Sequence, residues 1–144
     1  MIVIGVDIGL TGGISIVDAS KNKILEMIPM PTNDKWIDSE KIYNILKEYK
    51  NKYNEDIIII IEKQQRNPAS IAQEGAFFAI AELTIKDVYL VHPTKWQSEM
   101  GLKQNNKYNK EFGYNFICSS YKSFKKKIPS KTKTKYTFHD GCVD

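Results

Sequence analysis

Arginine is almost missing from this chain: of its 21 basic side chains one, Arg66, is arginine and the rest are lysines. Lysine is a mobile point charge without arginine's planar fork, so bidentate reading of guanine is poorly supplied. Any nucleic acid would be recognised by shape and backbone charge, not by base sequence. Cysteine is equally scarce. Cys118 and Cys142 fit neither a zinc spacing nor a disulfide framework, so a reducing, intracellular compartment is expected. Long hydrophobic runs are missing too: Ile57 to Ile61 is far short of the roughly 20 residues of a membrane span. The N-terminal segment has no basic leader and carries Asp7 among glycines, so no signal peptide and no membrane partner are expected.

What remains is ordinary globular material. The 144 residues amount to about one domain, and 42% hydrophobic content suffices for a core. The charge is informative once divided along the chain. Residues 1–102 carry 11 Lys+Arg against 14 Asp+Glu, a balance of −3, whereas residues 103–144 carry 10 against 3, a balance of +7. A slightly acidic body with a strongly basic final third points to a polyanion, most simply nucleic acid, although a solvated lysine face gives the same count.

The apolar pattern predicts three strands, a helix, a strand, a helix and a strand. Ile2 to Val6 is β-branched and reads as a strand buried on both faces. Gly9-Leu10-Thr11-Gly12-Gly13 is turn chemistry, Ile14 to Val17 a returning strand, and Lys23 to Ile28 a third one closed by Pro29 and Pro31. Asp38 or Ser39 can cap a helix with Ile42, Ile45, Leu46 and Tyr49 at helical spacing. Asp56 to Ile61 has a central-strand pattern, and Ser70 to Ile85 reads as a buried helix. Val88 to Val91 reads as a last strand, stopped by Pro93, with a short helix over Thr94 to Met100. The fold class is α/β, a mixed sheet flanked by helices. From about 103 to 136 the periodicity fades, and a mobile basic arm or loop is expected, with room for one helix.

Four acids stand out. Asp7 ends the first strand and Glu62 ends the isoleucine strand; in open α/β sheets, strand ends are where sites collect. Asp140 and Asp144 are four apart, which in a helix puts both carboxylates on one face. Clustered carboxylates resist ionisation unless a cation neutralises them, and oxygen ligands suit Mg²⁺ or Mn²⁺ rather than zinc. Two such ions, about 3.5–4 Å apart, can hold the attacking and leaving oxygens of a phosphodiester displacement. A strand-end aspartate beside a glycine turn is, on its own, structural more often than catalytic.

The motifs add a resemblance. Ile4-Gly5-Val6-Asp7-Ile8-Gly9-Leu10-Thr11-Gly12-Gly13 resembles the opening motif of RuvC-like Holliday junction resolvases, members of the ribonuclease H-like fold. Ile60-Ile61-Glu62-Lys63-Gln64-Gln65 is similar to their second motif, followed as in phage-type members by a small-residue helix, here Gly75 to Leu83. Val91-His92-Pro93-Thr94-Lys95-Trp96, with Met100-Gly101-Leu102 after it, is similar to a proline–tryptophan segment of that phage-type group. His139-Asp140-Gly141-Cys142-Val143-Asp144 resembles the last metal-binding motif. The resemblance implies a ribonuclease H-like mixed five-stranded sheet and a homodimeric, metal-dependent endonuclease. Such an enzyme would cut branched DNA in recombination and repair, leaving 5′-phosphate and 3′-hydroxyl ends. It implies Asp7, Glu62, Asp140 and Asp144 as catalytic metal ligands for two Mg²⁺ or Mn²⁺ ions. In the family the last motif opens a longer helix, whereas this sequence stops at Asp144, so either the chain is truncated there or the site of Asp140 and Asp144 is completed differently.

Other residues stay open to two roles. His139 can move a proton or cap a helix. Lys63 and Arg66 beside Glu62 can touch the scissile phosphate or face solvent. Lys95 and Trp96 can contact DNA, or Trp96 can pack as a lid over the core. Lys122, Lys125, Lys126, Lys127, Lys131, Lys133 and Lys135 alternate with Tyr121, Phe124, Tyr136 and Phe138, a pattern suited to phosphate charge and unpaired bases. Three other functions share parts of this pattern. The glycine turn also resembles the phosphate loop of actin-like ATPases, which need a second such domain for which 144 residues leave no room. A non-catalytic branched-DNA binder of the same fold, and a ribonuclease acting on RNA–DNA hybrids, are the remaining alternatives.

Overall fold

The computed structural model of the protein describes residues 1–54, 56–105, 107–108 and 110–121. Strands β1 (Ile2–Asp7), β2 (Gly13–Asp18) and β3 (Lys23–Pro29) run as an antiparallel meander. A small hairpin of β4 (Thr32–Asn33) and β5 (Trp36–Ile37) leads into helix α1 (Ser39–Tyr53). Strand β6 (Ile57–Glu62), helix α2 (Pro68–Thr84), strand β7 (Asp87–Val91) and helix α3 (Pro93–Glu99) follow. A second small hairpin, β8 (Lys103–Gln104) with β9 (Lys107–Tyr108), precedes helix α4 (Lys110–Ser120).

The main sheet has the order β3-β2-β1-β6-β7, with β6 parallel to both β1 and β7. It is the mixed five-stranded α/β sheet with flanking helices that the apolar pattern and the motifs predict. The isoleucine strand is interior, between β1 and β7; helix α1 leads into it from the β3 side and helix α2 leads from it to β7, and its Ile57, Ile59 and Ile61 are buried in one core with residues of both helices. Ile4, Val6, Ile14 and Ile16 lie on that same face, with Ile42, Leu46 and Phe77 from the helices packed onto them. Helix α1 begins where expected: the Asp38 side chain accepts from the Lys41 backbone N–H at 3.1 Å. That bond is the main reason the Asp38 carboxyl lies below its ordinary range.

One expectation is corrected. Strand β1 is buried on one face only: Ile2, Ile4 and Val6 are buried, while Val3, Gly5 and Asp7 on the other face are half-buried. Strand β6 alternates in the same way. The second face is polar at its end and carries a glycine in its middle, so it cannot be filled as a core. Helix α4 covers part of it: Tyr114, Ile117, Cys118 and Tyr121 pack around Ile24, Met27 and Val17. The hydrogen bond between Tyr114 and Cys118 chiefly raises the Tyr114 phenol above its ordinary value. Within the basic final third, residues 103–120 therefore hold a hairpin and a helix, and residues 122–136 lie outside the described residues.

Candidate active site

Asp7 and Glu62 are brought together by register. Gly5 pairs with Ile60 and Val6 with Ile61 in the parallel β1–β6 ladder, so the next residues end neighbouring strands at the same end of the sheet. Both fall on the half-buried face, two residues beyond Gly5 and Ile60 respectively. They line one cavity of about 500 Å³, shared with Trp96, Phe116 and Tyr121. Lacking a side chain, Gly5 leaves the floor of this cavity low; a Cβ there would come 2.8 Å from Ser15 Oγ of β2.

The turn after Asp7 is built for closeness. Gly9 has a φ of +147°, which an L side chain rarely adopts. The Gly12 N–H donates to the Gly9 carbonyl at 3.0 Å, and the Met30 N–H to the Gly12 carbonyl at 3.0 Å, which ties the turn to the end of β3. The end of β6 is tied from two sides. The Lys63 N–H donates to the Val91 carbonyl at 2.9 Å, and the Gln64 N–H donates to the carboxylate of Glu74, a buried acid of α2. The indole Nε1–H of Trp96 donates to Glu62 Oε1 at 3.3 Å. Tyr108 of β9 meets the same indole edge-to-face, with ring centroids 5.6 Å apart and planes at 69°.

Of the four acids proposed from sequence, the structure brings Asp7 and Glu62 to one place; Asp140 and Asp144, with His139, lie outside the described residues. Among the described residues no three His, Cys, Asp or Glu side chains gather as a metal site. The donor chemistry nevertheless fits a hard cation in part. Two carboxylates face one cavity whose described lining includes no His or Cys, so the donors are oxygens and further ligands must come from elsewhere.

Lys63 and Arg66 are exposed in the segment after β6, and Lys95 is exposed in the first turn of α3 after β7. Both segments follow strands parallel to β1, so the three cations sit at the same end of the sheet as the two acids. Lys122, Lys125, Lys126, Lys127, Lys131, Lys133 and Lys135 lie outside the described residues. Trp96 is half-buried and holds a carboxylate oxygen, a role that neither DNA contact nor a core lid describes. Sequence reasoning also missed Glu74. Its signal was an acid within the apolar, alanine-rich stretch of α2.

No protein-family model and no curated protein matches the chain. Among solved structures it is similar to T. thermophilus RuvC in complex with a Holliday junction substrate, with a TM-score of 0.61 and 16% identity. The match covers 99% of this chain and 88% of that one. At this identity the likeness is one of fold, and the fold of the chain is ribonuclease H-like.

Proposed function

We propose that the chain is a metal-dependent, structure-selective endonuclease for branched DNA, a resolvase of the phage type within the RuvC-like group, acting as a homodimer. One observation carries the reading: Asp7 and Glu62 end adjacent parallel strands on one face of one cavity, in the fold of a protein solved with a Holliday junction substrate. Asp7, Glu62, Asp140 and Asp144 would hold two Mg²⁺ or Mn²⁺ ions. When bound, those ions supply an activated water and stabilise the attacking and leaving oxygens at phosphorus.

The chain's own residues do the rest. The glycine turn holds Asp7 at its strand tip, and Glu62 accepts the indole N–H of Trp96. Lys63, Arg66 and Lys95 attract the phosphates of the strand to be cut, and the lysines from Lys122 to Lys135 neutralise flanking backbone. With one arginine in the chain, selection rests on the shape of the branch.

The test is cleavage of a synthetic four-way junction beside linear duplex and RNA–DNA hybrid controls, with Mg²⁺ or with EDTA. Symmetric nicks on opposing strands of the junction, lost in EDTA, are expected. Asp7→Asn should abolish the nicks and leave junction binding intact. Cutting that persists in clean Asp7→Asn protein would remove Asp7 from the chemistry. Preferential cutting of the hybrid would identify a ribonuclease instead.

A further inference from the structure

Trp96 lies 34 positions beyond Glu62, yet its indole N–H reaches Glu62 Oε1 at 3.3 Å. We infer that Trp96 is a positioning residue: through the indole N–H it sets the orientation of the Glu62 carboxylate that faces the cavity. The inference rests on the metal-dependent reading of this site, and it assigns to Trp96 a role at Glu62 rather than at DNA.

The geometry supports a fixed indole. Trp96 stands on α3, which starts at Pro93 directly after β7, and β7 is held beside β6 by a ladder that pairs Glu62 with Val91. The segment that pairs its backbone with the end of β6, through Val91 and Lys63, therefore also carries the indole that reaches the Glu62 carboxylate. The ring also packs edge-to-face against Tyr108. Tyr108 in turn is seated against Gly113 of α4, where an added Cβ would overlap its hydroxyl oxygen. A chain of contacts thus runs from Glu62 through Trp96 and Tyr108 to Gly113, so the helix covering the second sheet face also fixes the indole. A carboxylate is an acceptor with two oxygens. Engaging one of them with a neutral donor restricts its rotation without cancelling its charge. Ligating carboxylates are commonly held this way, and removing such a support costs about 10–100-fold in metal affinity.

Two measurements test the inference. The chain has two tryptophans, Trp36 and Trp96, so its indole N–H resonances are two, and Trp36→Phe identifies which belongs to Trp96. The Trp96 resonance should move on Mg²⁺ titration and in Glu62→Gln, while that of Trp36 stays in place. A Trp96 resonance indifferent to both changes overturns the inference, with no variant of Trp96 needed. Second, Mn²⁺ uptake is followed by the disappearance of the free-ion paramagnetic signal. Trp96→Phe keeps a ring against Tyr108 and removes the donor; its Mn²⁺ midpoint should rise about tenfold. Tyr108→Leu, which leaves the donor but frees the ring, should raise it by less. Junction cleavage by Trp96→Phe should recover when Mn²⁺ is raised, as weakened ion binding requires. Unchanged Mn²⁺ uptake in Trp96→Phe, with uptake abolished in Glu62→Gln, overturns the positioning role alone. A wild-type protein that takes up no Mn²⁺ overturns the metal-dependent reading and this role with it.

Discussion

Gly12 has no side chain because Asp7 leaves no space for one: a Cβ at Gly12 would overlap the carbonyl oxygen of Asp7. The neighbour is backbone, not the tip of a flexible side chain, so it cannot swing aside. The same Gly12 also bridges to Gly9 and Met30 through its N–H and carbonyl. The turn and the acid at the strand tip are therefore one unit.

Gly12→Ala should consequently cost about 1–3 kcal/mol through overpacking, and it should lower junction cleavage beyond what the reduced stability explains, because Asp7 must move. Gly75→Ala is the control. An added Cβ there meets nothing within 4 Å on α2. Replacing a helical glycine should stabilise by up to about 1 kcal/mol, a rise of a few degrees in Tm. Thermal unfolding of both variants checks the pair; equal destabilisation would mean that the contact with Asp7 is not what restricts Gly12.

The exposed cations at the acid end of the sheet give a second prediction. Replacing Lys63, Arg66 and Lys95 together by alanine should weaken binding of junction and linear duplex alike. The slope of log affinity against log salt should fall by about 0.9 for each phosphate that these side chains no longer neutralise. A salt titration of the triple variant measures that slope. An unchanged slope removes these three side chains from the DNA surface.

The legible parts of the fold were those encoded locally. Five consecutive isoleucines before Glu62, alanine-rich turns after Pro68 and glycines after Asp7 each specify an element from their own neighbourhood. The half-open second face was not legible. A β-branched run looks the same whether its alternate residues meet a helix or a cavity, and what decides here is Gly5 and the polar ends Asp7 and Glu62. The two-residue strands β4, β5, β8 and β9 are too short to show a period. The apolar residues of α4 gain meaning only from Ile24 and Met27, more than eighty positions earlier. For the site, the acids at two strand ends could be read. The bond from Trp96 to Glu62 could not, because it depends on how β7 and α3 are placed beside β6.

Glu74 supplies a third prediction. It is buried, and its carboxylate takes the backbone N–H of Gln64, two residues past Glu62. Glu74→Ala should leave that N–H without its acceptor and cost about 1–3 kcal/mol, read as a lower urea midpoint, together with reduced cleavage. Glu74→Gln keeps a carbonyl acceptor of the same length and should retain most of both. If the glutamine variant is as damaged as the alanine one, charge rather than the hydrogen bond is what Glu74 contributes.

The last prediction concerns pH and lies on the opposite face of the sheet from the acids. The buried Tyr49 of α1 donates its hydroxyl to the carboxylate of Glu26 on β3. Burial, then the bond and the negative charge of Glu26, push the phenol well above its ordinary value of 10.0. In the unfolded chain the phenol ionises near that ordinary value, whereas in the folded protein it stays protonated to higher pH. The raised pKa thus contributes stability that is fully present below about pH 10 and is lost as the pH rises beyond it. Tyr49→Phe cannot ionise and lacks the bond to Glu26, so it should be less stable at neutral pH by about 1–2 kcal/mol. The gap between the two proteins should then narrow above pH 10, because the variant has no such contribution to lose. Urea midpoints of both proteins across that range measure the gap. Parallel curves would show that the bond between Tyr49 and Glu26 does not resist ionisation in the folded state.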